Sequence, residues 1–357
     1  MDSRTQFKPG PITRRRASLR DGRVRVGPLM AIPDILREHG VDAQEVFDAC
    51  RVPLELFADP EATISFVEGD DLLGRAATLT GREDFGLLVG QRAPAQSLGA
   101  LGYLMLSAPT VRAALDALTA HINVHDRGAV VALRVENRTA ALRYSLVVPG
   151  LRRADQIYGL SIAVGQGILR ALCGPHWRAE AVNFSFARPT LVEPYRECFG
   201  VTPNFDAAES SLVFADSFLD QALPGADAFL NRVMRDHVGA SAEGAGMEIV
   251  EEVRRVLRAS PPPGLASLEA VARQLGLHER TLKRRLAARG TAFRSVRETL
   301  LGDIARDLLR NTSLEIAEIA AALGYSEGAA FTRAFRRWEG ATPQAWRSAK
   351  RPHSGKD

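Results

Sequence analysis

At 357 residues the chain is longer than one hydrophobic core usually supports, so two domains are expected. Its net charge of +4 conceals an uneven distribution: residues 249–353 carry nineteen basic and eleven acidic side chains, whereas residues 26–248 carry eighteen and twenty-eight. A transmembrane helix is excluded, because no apolar run approaches the required length of about 18 residues, and no membrane partner is expected. A basic end on an acidic body favours nucleic acid as a partner of the C-terminal end alone.

Residues 1–26 predict a disordered basic tail, and they lack the apolar segment of a secretory signal. The Arg14–Arg16 run could contact nucleic acid, but a solvated tail or an artefact of the assigned start codon is the preferred interpretation. Cys50, Cys173 and Cys198 are widely spaced, which is typical of unpaired thiols in a reducing cytoplasm.

Residues 27–240 predict an α+β domain. Apolar periodicity predicts helices at Ile32–His39, Ala43–Cys50, Phe66–Leu79, Phe85–Gln91, Val111–His121 and Asp155–Leu172. Ala129–Glu136 and Ala140–Val148 alternate at period two around residues 137–139, which predicts a hairpin. Shorter strands are expected at Ala181–Phe186, Thr202–Phe205 and Ser211–Phe214. We expect the aromatic side chains in this region to form core rather than ligand contacts: Phe184, Phe186, Phe205 and Phe214.

Residues 241–247 are small and glycine-rich and predict a flexible linker. The C-terminal domain is expected at residues 248–350, with a short tail at 351–357. It predicts an all-α fold that contains one helix-turn-helix pattern twice. The copies read SLEAVARQLGLHERTLKRRLAARG from Ser267 and SLEIAEIAAALGYSEGAAFTRAFRRWEG from Ser313. Two such patterns in register are a strong indication of a DNA-binding domain.

The two copies align position by position. Val271, Ala272, Leu275 and Gly276 match Ile319, Ala320, Leu323 and Gly324, and Leu282 and Leu286 match Phe331 and Phe335. Each glycine is expected to end a first helix, because it tolerates positive φ. Helical spacing places a polar face opposite each buried face. The outward residues of the two second helices are Arg280, Lys283, Arg284 and Ala287, then Ala329, Thr332, Arg333 and Arg336.

Apolar residues at helical spacing from Phe293 to Arg310 predict a helix between the two units, which is expected to end at Asn311. A rigid helix of this length would hold the second helices at the ~34 Å that adjacent major grooves require. It would serve equally as a packing helix, and both roles are compatible. For the outward arginines, the alternative to DNA contact is a merely solvated helix face.

The segment from about Ile249 to Arg347 resembles the DNA-binding domain of AraC/XylS-type bacterial transcription regulators. The resemblance depends on LEAVARQLGLHERTLKRRL and AEIAAALGYSEGAAFTRAFRRWEGATPQAWR, with its closing Gly340, Pro343 and Trp346. It implies that base-contacting side chains stand at Arg280, Lys283, Arg284, Ala329 and Arg333, and the face analysis adds Thr332. We assign phosphate contacts to Arg285, Arg289, Arg336 and Arg337, and expect the helix N-termini near Ser267 and Ser313 to offer further amide donors.

Two positions depart from the pattern of this family. His278 stands where the family usually has an N-capping serine, so a weaker cap is expected. Gly328 lies near the start of the second helix of the later unit, where it lowers helical stability. The segment AVNFSFARPTLVEPYRECFGVTPNFDAAESSLVFADSFLDQALP resembles the effector domain of the arabinose-binding-type subgroup. That resemblance implies a small-molecule effector, whose identity and binding residues it leaves open.

Nothing in the sequence indicates an enzyme. His121 and His125 have the i, i+4 spacing of a helical metal site, but no third ligand is evident, and core or surface histidines are the preferred interpretation. No GxSxG elbow and no phosphate-binding glycine loop are present. Neither a metal nor a cofactor is expected.

The sequence thus predicts a cytoplasmic, ligand-responsive transcription regulator, classed with activators. Its expected partners are a double-stranded DNA operator and a small effector, with RNA polymerase and a second copy of the chain as further candidates. One alternative is a ligand-independent regulator whose N-terminal domain only oligomerises, and a less favoured one is an enzyme with an appended DNA-binding module. The charge split also suggests that the acidic body masks the basic faces until a ligand or partner releases it; otherwise each domain is simply solvated.

Overall fold

The structure is a computed structural model that describes residues 22–244, 248–260 and 262–350. The N-terminal domain contains nine described helices and six strands in mixed order. Its helices are α1 (Ile32–Glu38), α2 (Ala43–Cys50), α3 (Phe66–Thr80), α4 (Phe85–Gln91), α5 (Ala100–Leu106), α6 (Val111–His125), α7 (Ala154–Cys173), α8 (Glu193–Phe199) and α9 (Ala228–Gly244). Its strands are β1 (Arg23–Arg25), β2 (Thr63–Ser65), β3 (Ala129–Glu136), β4 (Thr139–Leu146), β5 (Ala181–Asn183) and β6 (Ser210–Ala215).

The strands form two antiparallel sheets, one of β1 and β2 and one in the order β3-β4-β6-β5. In the larger sheet, the β3-β4 hairpin turns through Asn137 and Arg138, which have φ values of 51° and 66°. Thr139 pairs with Glu136, so the turn has two residues rather than the three expected. A two-residue turn with both residues left-handed matches the natural twist of the strands. The hairpin prediction is confirmed, with this change of one residue at the turn.

The central helix α7 packs directly on α4. A Cβ atom added at Gly86 would lie 2.0 Å from the carbonyl oxygen of Gln156, and one added at Gly90 would lie 2.3 Å from that of Leu160. Only glycine permits this approach of the two backbones. The Gly86 amide donates to Gln156 Oε1 at 2.8 Å, which fixes the register of the pair. The four predicted core phenylalanines belong to the hydrophobic core of this domain: Phe184, Phe186 and Phe214 are buried, and the partly buried Phe205 packs against the same cluster.

The C-terminal domain consists of helices alone in its described part. They are α10 (Ile249–Ala259), α11 (Leu268–Gln274), α12 (Glu279–Ala287), α13 (Phe293–Asn311), α14 (Ile316–Ala322), α15 (Gly328–Glu339) and α16 (Pro343–Lys350). Two hydrophobic clusters divide it: one joins α10, α11 and α12 to the first half of α13, and the other joins the second half of α13 to α14, α15 and α16. Ile304 packs against both clusters. The α+β and all-α assignments are both confirmed.

Several boundaries differ from the sequence prediction. Arg23–Arg25 form β1 and pair with β2, so the tail cannot extend to residue 26, since pairing fixes this segment on the body. The proposed linker is helical as far as Gly244, because α9 continues past the predicted end of the body, and residues 245–247 lie outside the described part. Thr202–Phe205 forms only an isolated bridge between Asn204 and Asn183. Residues 1–21, which are most of the predicted N-terminal tail and include the Arg14–Arg16 run, and the predicted C-terminal tail at 351–357 also lie outside it.

Candidate DNA-binding surface

The first helix-turn-helix unit comprises α11 and α12. Ser267 Oγ accepts from the Ala270 amide at 3.1 Å and caps α11. Gly276 then adopts a φ of 64°, which lets the chain leave the helix. The α12 helix begins after His278, whose Nδ1 accepts from the Arg280 amide at 3.2 Å. Histidine therefore does supply the N-cap at the position where the sequence pattern predicted a weaker one.

The second unit, α14 and α15, repeats this framework with different caps. Glu315 and Glu318 form a capping box at the start of α14, in which Glu318 Oε2 accepts from the Glu315 amide at 2.7 Å. Gly324 ends the helix with a φ of 88°. The α15 helix starts at Gly328 without a side-chain cap, and the lower stability expected from glycine at this position stays a prediction.

Four pairs of matched positions are buried alike, whereas Leu275 is half-buried and its counterpart Leu323 is fully buried. Val271, Ala272, Leu282 and Leu286 in the first unit, and Ile319, Ala320, Phe331 and Phe335 in the second, are each at most 1% exposed. Burial of one face of a helix leaves the opposite face in water. The alignment of the two units by sequence thus describes one three-dimensional framework used twice.

The outward side chains are exposed as predicted, apart from the half-buried Thr332. The exposed ones are Arg280, Lys283, Arg284, Arg285, Arg289, Ala329, Arg333, Arg336 and Arg337. Three of them contact acidic neighbours: Lys283 with Glu279 at 3.5 Å, Arg289 with Glu248 at 3.0 Å, and Arg337 with Glu298 at 3.2 Å. The other five arginines of this group make no ion pair with any described residue, so their guanidinium donors are available to another molecule.

A charge network that the sequence analysis missed holds the two units together. Asp303 of α13 is buried and accepts from Arg254 of α10 and from Arg306, and Arg306 also pairs with Glu339 of α15. The i, i+3 spacing of Asp303 and Arg306 was the only sequence signal, and it could not reveal the partners on other helices. Because these bonds join α10, α13 and α15, they fix the orientation of the second unit relative to the first.

The N-terminus of α14 is not free for a phosphate, contrary to the prediction at Ser313. The helix begins at Ile316, and the carboxylate of Glu315, two residues after Ser313, stands at its N-cap. The Ser313 amide donates to Asp206 Oδ1 of the N-terminal domain at 2.6 Å. Both carboxylates repel an anion, so only the N-terminus at Ser267 remains a candidate of this kind.

The N-terminal domain contacts the C-terminal domain away from the outward arginines. The Ala187 amide donates to the carbonyl of Asn311 at 2.7 Å, beside the bond between Ser313 and Asp206, and α10 packs against β3. Arg280, Arg284 and Arg333 stay exposed. The body leaves these outward arginines exposed in this structure, so the masking arrangement suggested by the charge split is not the one seen here.

Inside the N-terminal domain, an apolar cavity of about 100 Å³ lies between the larger sheet, α3, α6 and α7. His125 and Asp126 stand in its wall, and Asp126 accepts from the hydroxyl of Tyr144 at 2.9 Å. Burial lowers the pKa of His125 to about 3 and raises the pKa of Asp126 to about 6. His125 is thus a neutral core residue. No metal-binding cluster of three or more such side chains occurs in the described residues, and His121 is half-buried.

Two helix-turn-helix units on one domain, with a repeated exposed basic face, define a DNA-binding transcription regulator with a second, α+β domain. No helix in the described ranges is long and apolar enough to cross a bilayer. The family model for the arabinose-binding domain of AraC transcription regulators matches residues 40–223, and a helix-turn-helix domain model matches residues 271–349. The chain belongs to the AraC family of transcription regulators.

Curated relatives agree with this assignment over nearly the whole chain. The ornithine utilization regulator of Pseudomonas aeruginosa is 29% identical and aligns over 89% of this chain and 94% of its own. The regulator VirS of Mycobacterium tuberculosis is 28% identical over 91% and 96%. The crystal structure of the regulator CdpR from Pseudomonas aeruginosa covers 90% of this chain and 98% of its own at 22% identity and a TM-score of 0.45. The two curated relatives are transcription regulators, not enzymes.

Proposed function

We propose that this regulator binds one operator through two successive major grooves, with α12 in one groove and α15 in the next. The observation that carries the proposal is the repeated exposed face, on which Arg280, Arg284 and Arg333 have no partner in the described protein. An arginine contacts O6 and N7 of guanine with two hydrogen bonds, and an alanine or threonine methyl contacts the thymine methyl.

The contacts divide into two classes. Arg280, Lys283 and Arg284 of α12 would contact bases in the first groove, and Ala329, Thr332 and Arg333 of α15 those in the second. Phosphate contacts belong to the arginines at the edges of these faces, Arg285, Arg289, Arg336 and Arg337. Phosphate contacts position a protein on the duplex without selecting a sequence.

Selection of binding sites from random DNA, followed by footprinting of the full chain, tests the proposal. We expect protection of two major grooves on one face, separated by about one helical turn. Protection of a single groove would exclude simultaneous contact by α12 and α15. The matched control is the Arg284→Ala/Arg333→Ala double variant, which should lose the selected sequence and retain weak binding to any duplex.

We further infer that the N-terminal domain responds to a small effector in the cytoplasm and contributes to dimerisation, and that the bound regulator contacts RNA polymerase. The contacts of Ala187 with Asn311 and of Asp206 with Ser313 support the effector response, since they connect the N-terminal domain to the segment between α13 and α14. A regulator whose body only forms dimers should show no change of operator affinity with any small molecule. Titration of operator affinity against candidate effectors separates the two cases.

A further inference from the structure

A cleft of about 220 Å³ lies between the two domains. From the N-terminal domain it is lined by β4, the start of α7 and the segment that leads into β6, and from the C-terminal domain by α10, α13 and α14. Arg143 and Tyr144 of β4 line both this cleft and the apolar cavity inside the N-terminal domain, so the two spaces lie against the same strand. The position of the cleft matters, because α13 joins the two helix-turn-helix units and α14 begins the second one.

Most of the polar groups that line the cleft already have protein partners. Arg143 is 7% exposed and pairs with Glu209 at 2.6 Å, and Arg134 pairs with Glu136 at 2.6 Å. The hydroxyls of Ser185 and Ser210 are hydrogen-bonded to each other at 2.9 Å. These groups need no further ligand.

Arg258 and Asp307 are different. Arg258 of α10 is only 8% exposed, yet it has no hydrogen bond or ion pair with any described residue. Asp307 of α13 lines the same cleft, is half-buried, and likewise has no hydrogen-bond partner in the described chain. Burial raises the pKa of Asp307 to about 6, although the positive charges of Arg258, Arg310 and Arg306 oppose the rise. A buried arginine without a partner is costly, and such groups are conventionally paired.

The two groups carry opposite charges and face one cleft without forming an ion pair across it. A simple anion would pair with Arg258 and be repelled by Asp307. A simple cation would pair with Asp307 and be repelled by Arg258. A small zwitterion satisfies both, with a carboxylate on Arg258 and an ammonium group on Asp307. The wall also has an apolar part that includes Leu146, Leu151 and Leu308, and this part suits an aliphatic side chain.

We propose that this interdomain cleft binds a free α-amino acid with an apolar side chain. Such a ligand contacts α10 and α13 on one side and β4 and α7 on the other, so it stabilises the domain arrangement seen here. Its effect on operator affinity rests on the proposed function, and by linkage the operator changes the affinity for the ligand by the same factor.

Calorimetric titration of the full chain with the twenty common L-amino acids, without DNA, tests the site. At least one apolar member is expected to bind with a Kd below about 1 mM. Its N-acetyl and carboxamide derivatives, which each lack one charge, should bind about tenfold more weakly or worse, as loss of a charged hydrogen-bond partner requires. Failure of all twenty to bind, or equal binding of the blocked derivatives, overturns the proposal.

Variants locate the bound ligand. Arg258→Gln and Asp307→Asn should each weaken binding by about tenfold or more. Arg112→Gln and Asp34→Asn, which change exposed charges outside the cleft, should leave it unchanged. The Arg258→Gln/Asp307→Asn double variant leaves neither buried charge unpaired, so it keeps the test valid if a single variant fails to fold. Binding to the double variant at the affinity of the natural chain would place the ligand elsewhere and refute the site.

The two proposals can fail separately. If calorimetry detects amino-acid binding but footprinting finds no protected operator, the proposed ligand site stands and the proposed two-groove DNA binding is refuted. A protected operator with no binding of amino acids would do the opposite.

Discussion

The second helix of each helix-turn-helix unit packs into the domain core through two side chains at matched positions. These are Leu282 and Leu286 in the first unit, and Phe331 and Phe335 in the second. The aromatic pair lies 5.7 Å apart between ring centroids, and Phe335 also contacts Trp346 at 6.1 Å. The outward faces differ in charge. The α12 helix presents Arg280, Lys283 and Arg284, whereas α15 presents Ala329, Thr332 and Arg333. The first unit therefore offers more charge to DNA, and the second offers more apolar contact on a larger core.

This contrast predicts the largest effects in the two cores. Phe331→Ala should lower the free energy of unfolding by about 3–5 kcal/mol, because it removes a fully buried ring. Leu282→Ala should lower it by about 2–4 kcal/mol, since less surface and volume are lost. Urea unfolding of the full chain, followed by circular dichroism, measures both. Arg336→Ala is the exposed control, and a larger loss at Leu282 than at Phe331 would contradict the comparison.

The base-contacting faces give the next largest effect. Arg284→Ala and Arg333→Ala should each reduce affinity for the selected operator by about 1–3 kcal/mol and relax specificity at one position. The two relaxed positions should lie in different grooves. Competition binding against operators with single-base changes measures this. Equal weakening on every sequence would make the residue a phosphate contact.

The salt dependence of DNA affinity distinguishes arginines that make no ion pair in the free protein from arginines that do. Arg285→Ala should lower the slope of log affinity against log salt by roughly 0.9, the value for one phosphate contact. Arg337→Ala should lower it less, because the Arg337 guanidinium is held by Glu298 at 3.2 Å in the free protein. Filter binding at several salt concentrations gives both slopes. No change for Arg285 would assign it to the solvated face.

The smallest effect concerns two glycines. Gly328→Ala should stabilise α15 by about 0.5 kcal/mol, because an added Cβ meets no atom within 4 Å and alanine is the better helix former. Gly276→Ala, at a φ of 64°, should instead destabilise by about 1 kcal/mol, although it too has open space. Thermal unfolding of the two variants measures the difference. The same sign for both would show that backbone conformation does not govern these positions.

Local sequence patterns were sufficient to predict the two helix-turn-helix units. The spacing of apolar residues and the glycines at 276 and 324 specify helix, turn and buried face from neighbours within a few residues, and the structure has each of them. The β3-β4 hairpin and α2, α4 and α7 were predictable for the same reason, because each depends on periodicity over one continuous segment.

Contacts between residues that are far apart in the sequence determine the features that the sequence analysis did not predict. β1 exists because Arg23–Arg25 pair with residues forty positions away, and a short polar segment carries no signal of that pairing. The amide of Ser313 was expected to face DNA, yet it bonds to Asp206 across the domain boundary. Arg258 and Asp307 lie 49 residues apart, on helices that look like ordinary amphipathic surfaces in sequence. Only packing of the two domains buries them in one cleft, because burial and the absence of a partner are properties of the assembled fold and not of either segment.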